Sequence, residues 1–319
     1  MKDFLWRYRL QIGIFGVLVF LLGLFMFLSP VTFLSSRIYL SFLSTIPFSA
    51  LLALGLTFLI IAGELDLSFP SVMAMSGFVF AEVFLKTASP FAGLAAALLT
   101  GALAGLLNGF LVVRVGVPSI IATIGMQFFW RGLSALLSDG LARNIVSVRE
   151  TWIHHVFAGR IGGVIPAQSV WCIAIAILMA LILNRHVFGD HVLFIGDDIR
   201  TARMMGVPAD RVRILLFVMM GMISALVSVM ICLEMANWWP TQGEGYLLVV
   251  FASVFIGGTS VFGGQGTVFG TVIGAGIIGI TEAGIISAGL SGFWTRLVYG
   301  LIIVISVSVY ARVFGTKRE

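Results

Sequence analysis

The chain of 319 residues is much more apolar than a soluble globular domain. Hydrophobic residues make up 60% of it and charged residues 10%, whereas an average soluble domain has about 25% charged residues. The formal net charge of +5 is unremarkable, and no nucleic-acid partner is expected. This composition excludes an ordinary soluble domain and predicts an integral membrane protein.

The apolar runs predict membrane-spanning helices, because they are long and lack the polar and apolar alternation of barrel strands. We therefore predict an all-α, polytopic membrane protein in which the chain, 1–319, forms one transmembrane domain. The eighth span is short, and we expect 257–266 to continue it as broken or re-entrant backbone. The ten predicted spans are 10–28, 42–61, 70–85, 91–113, 119–137, 170–183, 214–235, 247–256, 268–288 and 293–313.

The distribution of basic residues predicts the orientation of these spans. Most of the 19 Lys and Arg residues fall in loops on the same side as the N-terminus, and such loops are normally cytoplasmic. We therefore place both termini and the polar loop 184–213 in the cytoplasm. The outer loop 138–169 contains Trp152 and several turn-forming residues, so it is a candidate cap over an outer opening.

The polar loop 184–213 contains a predicted short amphipathic helix. Asp198 is a suitable N-cap, 199–205 can form about two turns, and Gly206 stands where a helix would end. So short a helix needs the lipid surface or a partner protein to cover its apolar residues, and from spacing alone a surface-lying connector explains it equally well. The apolar residues are Ile199, Ala202, Met204 and Met205, and Arg200 and Arg203 lie on the other side.

The glycine-dense stretch 257–270 is not a phosphate-binding loop, because Gly266 is followed by Thr267 where such a loop needs Lys. We therefore expect no catalysis and no cofactor in this chain, and any ATP and Mg²⁺ to be bound by another chain. Irregular backbone at the inner membrane boundary is one interpretation. In it Thr259, Ser260 and Thr267 satisfy freed backbone groups. A tight turn between two helices is the alternative.

Four polar residues in or beside the spans have two readings each. Glu64 and Asp66, at the inner end of the second span, are either solvated or capping groups, or proton-coupling carboxylates together with Glu282. Asn108 and Gln127 either contact a polar solute along a translocation path or hydrogen-bond neighbouring helices.

Five segments form a specific set: GELDLSFPS at 63–71, NGFLVVRVGVPSIIATIGM at 108–126 with RG at 131–132, IGDDIRTARMMGV at 195–207, PTQGEGY at 240–246 and GGTSVFGGQGTVFGTVIGA at 257–275. Together and in this order they resemble the permease subunit of bacterial ATP-binding-cassette (ABC) sugar importers of the ribose and xylose type, a family that includes autoinducer-2 permeases. The resemblance covers most of the chain.

The resemblance implies an inner-membrane importer with several partners. These are an ABC ATPase subunit at the cytoplasmic face, an external solute-binding protein, and a second permease copy or a paralogue. It further implies alternating access for a monosaccharide or a similar neutral solute. An ion-coupled secondary transporter that uses Glu64, Asp66 or Glu282 is the alternative function.

The resemblance also assigns residues to the predicted contacts. The short helix becomes the coupling helix, to which Gly196, Ala202, Arg203 and Gly206 carry over directly, with Asp198, Arg200 and Met204 completing the contact. Asp197 and Asp198 replace the customary Gly and Asn, and Glu64 and Pro70 replace customary glycines. The expected contacts with the binding protein are Trp152, Trp239 and Glu244.

Overall fold

The structure is a computed structural model that describes residues 9–314, and these form the predicted all-α bundle. Eight helices within this range are long and apolar enough to cross a membrane. The eighth predicted span corresponds to a shorter apolar helix, Tyr246–Ile256, and the tenth to the helix Phe293–Phe314. The helices are α1 Arg9–Leu28, α2 Pro30–Phe33, α3 Ser36–Ile61, α4 Phe69–Thr87, α5 Pro90–Phe110, α6 Ser119–Ser138, α7 Trp152–Phe157, α8 Ala167–Arg185, α9 Val187–Asp197, α10 Ile199–Met204, α11 Ala209–Met235, α12 Tyr246–Ile256, α13 Val268–Ser287 and α14 Phe293–Phe314.

Several helices extend beyond the predicted spans. Helix α3 begins at Ser36 rather than 42, because the Ser35 hydroxyl accepts a hydrogen bond from the backbone of Arg37 and caps the helix. Helix α11 begins at Ala209 rather than 214, and α5 continues into a π-helical turn, Leu111–Val115. Helix α9, with 11 residues, lies where we predicted only loop.

The tightest packing in the bundle joins α5 to α11. Gly101, Gly105 and Gly109 recur every four residues and therefore share one face of α5. A methyl group at Gly101 would overlap the backbone of Gly221, and one at Gly105 would overlap the backbone of Phe217. Small residues thus let the two backbones approach closely, as is typical of membrane helices.

Two interruptions shape the interior of the bundle. The first is 62–68, an irregular segment between α3 and α4, and the second is the stretch 236–245 between α11 and α12. In the first, Ser119 and Thr123 on α6 accept hydrogen bonds from the backbone of Leu65 and Leu67. Helix side chains therefore satisfy backbone groups that a regular helix would satisfy itself.

The loop 138–169, which the sequence predicts to lie on the outer side, is ordered by two short sheets and by α7. Strand β1 Arg143–Asn144 pairs antiparallel with β4 Asn237–Trp238, and β2 Arg160–Ile161 pairs with β3 Ile165–Pro166. The β1–β4 pair ties this loop to the second interruption. Trp238 is fully buried and donates a hydrogen bond to the carbonyl oxygen of Ala74, 2.9 Å away.

Candidate functional site

The predicted amphipathic helix is present as α10. The Asp198 carboxylate accepts a hydrogen bond of 2.6 Å from the backbone of Thr201, which confirms Asp198 as the N-cap and lowers its pKa. Gly206 follows with φ of +83°, a conformation that ends a helix and favours glycine. Local sequence alone therefore determines where α10 begins and ends.

The two sides of α10 differ in their environment. Ala202 is buried against the bundle, whereas Met204 and Met205 are 80% and 64% exposed. Arg200 is also exposed. The bundle thus covers only part of the apolar surface of α10, and two methionines beside a cation remain available to another surface.

An ion pair fastens α10 to the start of α11. Arg203 donates to Asp210 at 2.7 Å, and Arg114 lies 3.8 Å from the other oxygen of that carboxylate. A cavity of about 370 Å³ lies between these residues and the turn 207–209. Arg203, which the resemblance assigns to a partner contact, therefore also has a partner within its own chain.

A second attachment joins the end of α9 to the glycine loop, which we define as 257–267. The backbone nitrogen of Gly264 donates to the carbonyl oxygen of Ile61 at 2.8 Å. Gly196 packs against both, so closely that a methyl group there would overlap the Ile61 oxygen. Gly196 is thus required at this contact because three backbone segments meet there.

The glycine loop is irregular, as predicted, and lies at the same end of the bundle as α10. The Ser260 hydroxyl accepts from the backbone of Phe262, and the Thr267 hydroxyl accepts from Gly270 and caps α13. The buried Thr259 hydroxyl has no hydrogen-bond partner among residues 9–314. The expectation is therefore confirmed for Ser260 and Thr267 and wrong for Thr259.

The segment 62–68 carries a buried polar network. Glu64 pairs with Arg213 on α11, 2.7 Å from its Nε, and Asp66 accepts hydrogen bonds from the backbone and the hydroxyl of Ser68, both at 2.7 Å. The amide of Asn108 donates to Ser68 at 2.7 Å and to Asp66 at 3.4 Å. The two carboxylates are 6% and 1% exposed, so a solvated position for them is wrong.

The start of α4, directly after the first interruption, meets the second interruption at one place, which we call the helix junction: Pro70 together with 240–245. The guanidinium of Arg131 on α6 donates to the carbonyl oxygens of Pro240, Gln242 and Pro70, at 2.6, 3.0 and 3.2 Å. Gly243, with φ of +91°, stands where a side chain would overlap the Pro70 carbonyl. Arg131 thus binds both sides of the junction at once.

The helix junction lies deep in the bundle. Helix α12 has 11 residues, so it separates the junction from the glycine loop by about 16 Å. That is about half of a hydrocarbon core of about 30 Å. The junction is therefore near the middle of the membrane if the glycine loop lies at its boundary.

Two cavities adjoin the junction. One, of about 330 Å³, is lined by Ser71, Gln127, Arg131 and Glu244 among others, and the other, of about 300 Å³, by Thr45, Ser49, Glu244 and Glu282 among others. Glu244 is exposed, lines both cavities and interacts electrostatically with Arg131. The depth of Glu244 favours these cavities as its surroundings over an outer surface.

The remaining candidate residues lie in different places. Asn108 is fully buried in the network with Asp66, which favours its helix-bridging reading, while Gln127 lines the larger cavity. Trp152 is exposed at the start of α7, and Trp239 is partly buried against the main core. Sequence reasoning marked Arg131 only as part of a segment that carries the resemblance, without a role, and did not single out Asp210; their partners are distant or have no recognisable spacing.

Comparison with known proteins identifies the class. Residues 38–307 match a family described as "Branched-chain amino acid transport system / permease component". The chain belongs to this family of multi-span transport permeases, and the matches confirm the resemblance to permease subunits of ABC sugar importers.

Individual relatives resemble the chain over most of its length. It is 32% identical over 262 residues to the L-arabinose transport system permease protein AraH of Escherichia coli, which covers 82% of this chain and 79% of the relative. The ribose import permease protein RbsC of Bacillus subtilis is 29% identical over 93% of this chain and 91% of its own length. The inner membrane ABC transporter permease protein YjfF of Escherichia coli is 30% identical, over 87% and 84%. No solved structure matches the chain.

Proposed function

We propose that this chain is the permease subunit of an ABC importer that translocates a monosaccharide or a similar small neutral polar solute. An ABC ATPase that binds ATP and Mg²⁺ docks on α10, an external binding protein delivers the solute, and a second permease copy or a paralogue completes the pathway. The bundle lies in the bacterial inner membrane with both termini in the cytoplasm. Similarity to the arabinose and ribose permeases supports a sugar as the solute.

The observation that carries this proposal is the form of α10. It is a capped helix, fixed to α11 by the Arg203–Asp210 ion pair and to the bundle by Ala202, and it keeps Met204 and Met205 exposed. An anchored helix with an exposed apolar end suits insertion into a partner's groove. Because packed interiors move as blocks, a partner that shifts α10 also shifts the helices fixed to it.

The docking surface is tested by placing a charge on it. Met204→Asp puts a carboxylate into the proposed apolar contact, so we expect loss of co-purification with the partner ABC ATPase and loss of ATP-driven uptake. Met235→Asp is the matched control, because Met235 is also an exposed methionine, 56% accessible, but lies at the far end of α11. Full association of Met204→Asp with the ATPase would contradict docking at α10.

The mode of energy coupling is tested in proteoliposomes with radiolabelled ribose and arabinose. We expect uptake only when the ATPase, the binding protein and internal ATP are all present. Uptake by the purified permease under a proton or sodium gradient would instead support ion coupling and overturn the proposal. In that case Glu282, which accepts a hydrogen bond from Tyr299 at 3.0 Å, would be the first carboxylate to replace.

The ion pair that holds α10 is tested by reversal. Arg203→Glu places a carboxylate against that of Asp210, and the two repel each other. We therefore expect uptake to fall while ATP hydrolysis continues. Adding Asp210→Arg restores the pair with opposite polarity, and Arg114→Gln removes the second cation beside position 210, so the triple variant is expected to restore uptake. If the triple variant stays uncoupled while the permease is stable, Arg203 acts through direct contact with the ATPase rather than by positioning α10.

A further inference from the structure

We infer that the cavity at the helix junction is a charge-balanced solute site, in which Glu244, Gln127 and Ser71 contact the solute and Arg131 positions the backbone around it. This inference deepens the proposed function and rests on it for the nature of the solute. Its geometric basis, a polar cavity between two interrupted helices, is independent of which solute is carried.

The first step concerns Arg131. Its guanidinium is occupied by three backbone carbonyls from both sides of the junction. A planar fork of donors can hold several acceptors in fixed directions, which Lys cannot do. Arg131 therefore fixes the shape of the cavity, but it also introduces a positive charge about halfway along the bundle.

The second step concerns Glu244. Glu244 lines the same cavity as Arg131, is exposed, and also lines the cavity on the other side of the junction. A carboxylate only accepts hydrogen bonds, whereas every hydroxyl of a sugar can donate one. Glu244 therefore offers an acceptor to a polyol and at the same time cancels the charge of Arg131.

The third step concerns hydrogen-bonding capacity that the bundle leaves unused. Ser71 lines the larger cavity and is fully buried, and its hydroxyl has no hydrogen-bond partner in the described part of the chain. Buried hydroxyls are normally satisfied. Together with the amide of Gln127, which both donates and accepts, this hydroxyl supplies the mixed pattern that a neutral polyol requires. The cavity volume, about 330 Å³, falls within the range of small-molecule sites.

The charge of the cavity is therefore expected to select which solutes enter it within the membrane. With Glu244 present, the cavity has no net charge and suits an uncharged sugar. Without Glu244, Arg131 leaves the cavity positive, so it should attract sugar acids and lose an acceptor for hydroxyls. Glu244 is therefore expected to determine specificity separately from the binding protein.

The electrostatic part is tested on the assembled permease without transport. Gln127→Cys introduces a thiol into the cavity, and Cys172 and Cys232 give little background because they are 7% and 0% exposed. The thiol is labelled with two methanethiosulfonate reagents of similar size, one carrying a cationic trimethylammonium group and the other an anionic sulfonate group. Charges several ångströms apart in a wet site change such rates by about 3- to 10-fold. Adding Glu244→Gln should therefore shift the ratio of rates towards the anionic reagent by that factor.

Two controls keep this result specific. Val164→Cys, 53% exposed in the β2–β3 turn, should show no change of ratio when Glu244→Gln is added. Glu150→Gln removes an exposed carboxylate from the outer loop and should leave labelling at 127 unchanged. An unreactive thiol at 127, or a ratio that ignores Glu244, overturns the inference even if the importer works.

The solute part is tested by uptake with the ATPase and a saturating amount of binding protein. Glu244→Gln should lower uptake of a neutral pentose about tenfold or more, the loss expected when a charged hydrogen-bond partner is removed, while Glu150→Gln should not. Unchanged uptake by Glu244→Gln overturns the inference alone. Absence of ATP-driven uptake by the wild-type importer overturns the proposed function and leaves the labelling result standing.

Discussion

Gly196 gives a sharp test of how α10 is held against the bundle. A methyl group there would overlap the Ile61 carbonyl oxygen and stand 2.5 Å from the backbone nitrogen of Gly264. Because these atoms belong to the backbone, no side chain can rotate away to make room. Gly196→Ala can be accommodated only if the end of α9 separates from α3 and from the glycine loop.

The cost of this separation follows from two effects. Overpacking of a close-packed interior costs about 1–3 kcal/mol. Breaking the hydrogen bond from Gly264 to Ile61, 2.8 Å long, leaves buried backbone groups unpaired at about 1–3 kcal/mol. The better helix propensity of Ala returns at most about 1 kcal/mol. Gly196→Ala should therefore destabilise this region by about 1–5 kcal/mol.

The assay combines thermal unfolding of the purified permease with uptake by the complete importer. Gly196→Ala should lower the midpoint of unfolding and abolish uptake, because α10 loses its attachment to α3. Gly125→Ala is the matched control: it makes the same change within helix α6, where a methyl group meets no atom of residues 9–314 within 4 Å. Equal midpoints and equal uptake for the two variants would refute the reasoning.

Two further predictions concern polar contacts. Glu64→Gln leaves the guanidinium of Arg213, 15% exposed, without its counter-charge. We therefore expect the variant to lose about 3–5 kcal/mol of stability. The double variant with Arg213→Gln should recover part of this loss, and thermal unfolding measures both. Asp198→Ala removes the cap on α10 and should weaken ATPase binding about fivefold in a titration, whereas Asp198→Asn, which also caps, should bind nearly as well as wild type.

The sequence predicts those parts of the fold that local chemistry determines. The spans follow from apolar length, and all ten correspond to helices. Helix α10 follows from a capping Asp198 and a stopping Gly206, neither of which depends on distant residues. Helix α9 was missed because the charged residues around it suggested loop, although His186 caps it by accepting from the backbone of Phe188.

The candidate site depends instead on contacts between distant parts of the chain. Arg131 binds carbonyls 109 and 111 residues later in the sequence, and Glu64 pairs with Arg213, 149 residues away. No periodicity or motif spacing contains such pairings. The sequence could therefore mark 131–132 and 240–246 as unusual segments, but only packing shows that they meet.

Two series of contacts connect α10 and the end of α9 to the two sides of the helix junction. One series of contacts runs from α10 through α11 and the Glu64–Arg213 pair to the segment 62–68, and so to Pro70. The other runs from the end of α9 through the glycine loop to α12, which begins at the junction. Each link is an ion pair or a backbone contact within a packed interior, where small shifts are transmitted rather than absorbed. If α10 is displaced, we therefore expect Pro70 and 240–245 to move together, and the hydrogen bonds from Arg131 to both would have to break or reorient for the junction to open.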